Sequence, residues 1–147
     1  MVKLSKYFSL EEMTKTSVQG VKNIPNAAQT SNLNRLCGWL DKLRDEWNLR
    51  YGDGDDPIII NSAFRNPVVN KAVGGSLTSN HLTGCAADIR VLGMEQLIRY
   101  AAILLDISDK AKKDFDEILM ERKGNSLWLH FAVRPEKNRR KIKFLEI

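Results

Sequence analysis

The chain is poor in the residues that most often do chemistry. It has two histidines and two cysteines in 147 residues. Two cysteines, Cys37 and Cys85, are too few for a disulfide framework, and a chain this long does not need one, so both read as free thiols. No apolar run approaches the roughly 20 residues of a membrane helix; the longest, Tyr100 to Leu105, is short, which excludes membrane insertion by a helix. No internal repeat and no low-complexity segment interrupts the chain. The opening MVKLSKYFSLEEM carries lysines but no apolar stretch and no small-residue cleavage site. Synthesis in the cytoplasm without a signal peptide is therefore the expectation.

What is present fits one globular domain. Apolar residues make up 43% of the chain, enough for one core at this length. The net charge of +5 suits a partner with negative charge, whether nucleic acid, an anionic wall polymer or an acidic peptide. The excess is concentrated in residues 134–143, from Arg134 to Lys143. This segment reads first as a solvated edge strand with its flanking turn, because lysines discourage strand addition at an edge.

The pattern of elements is mixed. Ser9 followed by Glu12 is a capping-box signature and predicts a short helix within residues 7–16. Residues 20–30 are turn-rich and read as a connecting loop. From Asn32 to Leu49, the apolar residues Leu33, Leu36, Cys37, Leu40, Leu43 and Trp47 recur at spacings of three and four, the mark of an amphipathic helix. Pro57 to Ser62 and Ala86 to Val91 read as strands, with a short helix over Val68 to Val73 between them. Met94 to Leu105 predicts a second amphipathic helix. Phe115 to Met120 and Leu127 to Val133 predict a hairpin, and Ile142 to Ile147 an added edge strand. Helices early and strands late, without regular alternation, imply an α+β domain with a mostly antiparallel sheet. The expected organisation is a single domain over 1–147. An N-terminal helix and loop (1–30) precede a catalytic core (31–133) and a basic C-terminal edge segment (134–147).

The two histidines gain meaning from their context. Ser79-Asn-His81-Leu-Thr-Gly84-Cys-Ala-Ala-Asp88 places an acid seven residues after a histidine, across a glycine turn. Asp88 sits among Ala86, Ala87, Ile89 and Val91, where an unpartnered carboxylate is costly and calls for a cation or several donors. His130 lies in the apolar strand Trp128-Leu-His-Phe-Ala-Val133. Each histidine alone reads as a loop or core residue satisfied by backbone; together with Asp88 they form a candidate metal set.

The motif Ser79-x-His81-x-x-Gly84-x-Ala86-x-Asp88 resembles that of the M15-type zinc peptidases. That family includes D-alanyl-D-alanine carboxypeptidases and phage endolysins, and its fold is shared with Hedgehog signalling domains. Ser62-Ala-Phe-Arg65-Asn-Pro67-x-x-Asn70, Ala72-Val-Gly-Gly75-Ser and the early Phe8-Ser-Leu-Glu-Glu-Met-Thr14 resemble the short, single-domain, phage-like branch, and the closing Trp128-x-His130 resembles the family's last metal-binding strand. The resemblance implies a Hedgehog/DD-peptidase-like fold in which His81, Asp88 and His130 hold a zinc ion, with a fourth position open to water. It implies that Arg65 approaches the substrate, gripping a carboxylate or stabilising an oxyanion, and that Ser79 and Trp128 contribute to substrate binding. Cys85 is disfavoured as a fourth ligand, since catalytic zinc keeps three protein ligands and water.

One position departs from the family pattern. Many members place the general base three residues before the last histidine, where this chain has Leu127. The base must then come from the preceding strand. A two-residue turn at Gly124-Asn125 sets Glu121 opposite Trp128 and Glu117 opposite Ala132, on His130's face. A register shifted by one would select Asp116 instead. Both acids share that face; the resemblance to short phage-like members, which often carry an acid corresponding to Glu121, favours Glu121 as the base, with Glu117 the alternative.

The implied activity is a zinc metallopeptidase, cutting peptidoglycan stem peptides by attack of zinc-bound water, as a carboxypeptidase or an endolysin-like endopeptidase. The expected chain is a monomer that reaches the wall by a holin-like or other export route, with its basic tail available to anionic wall polymer. Two readings compete with this one. A zinc-containing binding module of the same fold that has lost catalysis is suggested by Leu127, and a nucleic-acid-binding domain by the basic tail. The latter leaves His81, Asp88 and His130 without a task, so nucleic acid is disfavoured as a partner.

Overall fold

The computed structural model describes residues 2–147. Its elements run α1 (Leu10–Thr14), α2 (Ala27–Arg50), β1 (Ile60–Ser62), α3 (Pro67–Ala72), a 3-10 turn (Asn80–Thr83), β2 (Ala86–Arg90), α4 (Met94–Ala111), β3 (Glu117–Lys123), β4 (Ser126–Ala132) and β5 (Lys141–Glu146). The five strands form one sheet in the order β1-β2-β4-β3-β5. The α+β class is as the sequence implies. The sheet is antiparallel except at its far edge, where β5 runs parallel to β3.

Two helix starts show how local chemistry sets the boundaries. At α1 the expected box forms: the Ser9 hydroxyl accepts from the Glu12 amide while the Glu12 carboxylate takes the Ser9 amide. The start of α2 corrects the loop reading of residues 20–30. Asn26 and Gln29 form a second reciprocal box, so the helix begins at Ala27. This variant uses Asn and Gln in place of Ser and Glu, and it satisfies the same orphan amides. The strand expected over Pro57 to Ser62 shortens to Ile60–Ser62, and α4 continues past Leu105 to Ala111.

The sheet divides the molecule. On one face Ala87, Ile89, Leu129, Phe131 and Ile118 are fully buried and pack with the apolar stripes of α2 (Leu33, Leu36, Leu40, Leu43) and α4 (Leu97, Ile103, Leu104). At roughly 25 cal/mol per Å² of apolar area removed from water, this face supplies the main driving force for folding. Alternation along the strands sends Asp88, Trp128, His130, Glu117 and Glu121 to the other face, which lines an open cleft. That open face carries the site.

Candidate metal centre

Pairing brings distant residues together row by row. Asp88 lies directly across from His130, and Leu119 flanks His130 on the other side. Glu121 pairs with Trp128 and Glu117 with Ala132, the register that a two-residue turn dictates. Glu117 and Glu121 therefore approach His130 diagonally, from opposite ends. His81 arrives from outside the sheet on the 3-10 turn that feeds β2. Ser79 caps that turn, its hydroxyl accepting the His81 amide at 3.1 Å. Gly84 ends the turn at φ 77°, and a Cβ there would meet the Gln29 carbonyl at 2.6 Å. Only glycine fits that approach without displacing α2.

His81, Asp88 and His130 each offer one ligand atom, and these atoms lie within 4.8 Å of one another. Asp88 Oδ1 is 3.3 Å from His81 Nε2 and 3.1 Å from His130 Nδ1. The remaining ring nitrogens are committed elsewhere. His81 Nδ1 lies 2.6 Å from the Ala63 carbonyl, which can only accept, so Nδ1 carries the proton and Nε2 is free to coordinate. His130 Nε2 lies 2.9 Å from Glu117 Oε1, an ionised acceptor, which leaves Nδ1 turned toward Asp88. Each ring is thus oriented by a partner on its far side, as metal-binding imidazoles are. The donor set, two imidazoles and one carboxylate with second-layer partners, fits a divalent ion of the zinc type.

Charge is tightly managed around this point. Burial works against ionising Asp88, but His81 and His130 outweigh it and hold the carboxyl well below the usual range. Burial would lower the proton affinity of His130; hydrogen bonds and charge from Asp88 and Glu117 overcome it and raise its pKa to about 9 in the metal-free chain. Burial also opposes the Glu117 charge, and His130 more than compensates, leaving it lowered. Glu121 differs. Burial raises its pKa, Asp88 and Glu117 add to the effect, and His130 and the nearby Trp128 indole only partly offset it. Its Oε1 is 3.9 Å from His130 Nδ1, on the ligand side of the ring.

The site lies in an open cleft of about 770 Å³, whose lining includes Arg65, Ser79, Trp128 and Glu121. Arg65 donates to Asp88 Oδ2 at 3.1 Å and to the Ser62 hydroxyl at 3.0 Å. The Trp128 indole nitrogen is buried and has no hydrogen-bond partner among the described residues. Cys85 is buried with its thiol toward the Thr83 carbonyl, outside the ligand group.

The register settles two positions, and the basic segment departs from its expected role. Leu127 packs against the core, because a residue three before His130 on a regular strand points to the opposite face; an acid there would not reach the site. Asp116 sits outside the site and is fully buried beneath the basic segment, held by Arg139 and Arg134. That segment is more than a solvated edge. Arg140 pairs with Asp109 and Asp114, so its arginines bind within the chain, and Lys137 and Lys143 face outward. Asn80, an unremarked position inside the histidine motif, proves central: its amide reaches both Asp116 and Glu117. An amide beside a candidate ligand histidine was the only signal, and its partners lie 36 and 37 residues away.

The comparisons with known proteins agree with this geometry. Over 41 residues the chain is 44% identical to the zinc D-Ala-D-Ala carboxypeptidase of Streptomyces albus G, a stretch that covers 28% of this chain and 16% of that relative. The family described as Peptidase M15 matches residues 6–123, most of the chain and the greater part of the site, and the protein belongs to that family.

Proposed function

We propose that the protein is a zinc-dependent peptidase acting on the stem peptides of peptidoglycan, with His81, Asp88 and His130 as the metal ligands. The observation that carries this reading is the convergence of the three ligand atoms within 4.8 Å, with both outer ring nitrogens already engaged. Membership of the peptidase family and the partial likeness to a zinc carboxypeptidase support the peptide substrate and the metal. A zinc ion held by these residues would supply a Lewis acid for the substrate carbonyl and would make water a stronger acid near neutral pH.

The chain's own residues do the rest. Glu121 is the general base: its carboxylate stands on the ligand side of His130, and burial raises its pKa toward the working range of a proton carrier. It takes the proton of the attacking water and returns it to the leaving amine. Glu117 is excluded from that task by its bond to His130 Nε2, on the far side of the ring. Arg65, at the cleft wall, places a guanidinium beside the reacting carbonyl and stabilises the negative charge that develops there. Trp128 lines the cleft across from Glu121, and Ser79 shapes the loop through its cap on the His81 turn.

The test is metal analysis together with product identification on defined stem peptides. We expect one zinc per chain and loss of hydrolysis with a chelator. Free D-alanine as product identifies a carboxypeptidase, and internal fragments an endopeptidase. Glu121→Gln should keep zinc and lose about 10²- to 10⁴-fold in kcat. A second reading is a zinc-holding binding module without turnover; Leu127, which suggested it, faces the core, where an acid would not reach the site, so this residue does not favour it. A zinc-loaded wild type that leaves every stem peptide intact would establish it.

A further inference from the structure

Asn80 bonds to three side chains at once. Its amide nitrogen donates both hydrogens, to Asp116 Oδ2 at 2.8 Å and to Glu117 Oε1 at 2.7 Å, and its oxygen accepts from Arg134 Nε at 3.0 Å. Its backbone carbonyl accepts the Cys85 amide at 2.9 Å and helps close the turn that presents His81. Asn80 therefore touches both halves of the metal centre: it adjoins His81 in the chain, and through Glu117 it reaches His130.

Behind Asn80 stands Asp116, fully buried. A carboxylate in that position survives only with dense donation. Arg139 supplies it, through its backbone amide at 3.0 Å, Nε at 3.0 Å and a terminal nitrogen at 2.8 Å. Arg134 adds a contact at 3.2 Å. The same Arg139 reaches Glu117 Oε2 at 3.5 Å. The order of contact runs Arg139, Asp116, Asn80, Glu117, His130, and each link but the last pins an atom that the next one needs.

We infer that Glu117 and Asn80 are positioning residues for the two zinc histidines, and that Arg139 of the basic segment sets their geometry through Asp116. The inference rests on the metal site proposed above. The basic segment is then part of the metal centre, since it fixes the carboxylate that orients the His130 ring. Removal of Arg139 frees Asp116 to draw the Asn80 amide away from Glu117, and the ring loses its fixed partner.

Charge alone predicts the opposite result, which makes the test sharp. Arg139→Gln removes a cation near the ion, so simple Coulomb repulsion would let zinc bind more tightly. Positioning predicts weaker binding. Zinc affinity is measured on the full chain by competition with a chromophoric chelator. We expect Glu117→Gln to weaken zinc about 10- to 100-fold and Arg139→Gln about 3- to 10-fold, on the scale of outer-layer ligand partners. Lys137→Gln removes a cation from the same segment away from Asp116, and affinity should hold or tighten. Long-range proton–nitrogen spectra of the loaded wild type should show His130 bound through Nδ1 with its proton on Nε2, and faster exchange of that proton in Glu117→Gln. A wild type that takes up no zinc overturns the site and this inference together. A wild type that binds zinc, with Arg139→Gln equal to it or tighter, overturns the inference alone, as does coordination through Nε2.

Discussion

The two faces of the sheet are built from the same strands by alternate residues, yet they answer to different physics. On the helix-packed face, Ile118, Leu129 and Phe131 are fully buried and interchangeable in kind: any apolar side chain of similar volume would serve. On the open face, Asp88, His130, Glu117 and Glu121 crowd charge into partly dry surroundings, where each group needs a particular partner. The first face stabilises the fold and tolerates variation. The second trades stability for chemistry.

Substitution on each face should separate these roles. Phe131→Ala should cost about 3–5 kcal/mol of stability, read as a lower urea midpoint of the chelated protein, with zinc stoichiometry unchanged in the folded fraction. Glu121→Gln should do the reverse, keeping or raising the midpoint while lowering kcat about 10²- to 10⁴-fold. The sign follows from its raised pKa: the fold disfavours the Glu121 charge, and the neutral amide removes that cost. A midpoint that falls sharply would mean that Glu121 is structural.

Metal removal sharpens the comparison. Zinc at a hundred times its dissociation constant should stabilise the protein by about 2.7 kcal/mol, measured as a chelator-reversible rise in Tm. The metal-free chain should also show a pH limb from His130. Its folded pKa is raised from 6.5 to about 9, so its contribution is complete below 6.5 and is lost as pH climbs through 9. Zinc takes the place of the His130 Nδ1 proton, and the loaded protein should lack this limb. Urea midpoints across that window, with and without metal, decide the point.

Smaller effects lie at the margins. Gly84→Ala forces a left-handed residue against the Gln29 carbonyl and should cost about 1–2 kcal/mol or more, with weakened zinc uptake because the turn carries His81. Leu92→Ser, on a side chain that is 84% exposed and away from both faces, should stay within about 0.5 kcal/mol of wild type.

Much of this was legible in the chain. The three-and-four spacing of Leu33, Leu36, Leu40 and Leu43 marked the buried stripe of α2, because a helix period repeats within a few residues. The two-residue turn at Gly124-Asn125 set the hairpin register and with it the faces of Glu117 and Glu121. The Asn26–Gln29 box is masked by the turn-forming residues around it, which read as a loop. The parallel docking of β5 was hidden for another reason: it depends on where β3 ends up in the sheet.

Local sequence determined the elements, the candidate ligand motif from Ser79 to Asp88 and the pair of acids on β3, because capping, periodicity and turn geometry act over a few residues. Only the tertiary structure decided what each acid does. Glu117 and Glu121 share one face of one strand, and their difference arises from which ring nitrogen each meets and from the Asn80, Asp116 and Arg139 groups that crowd around one of them. Those contacts join residues far apart in the chain, and no short-range rule encodes a distance between them.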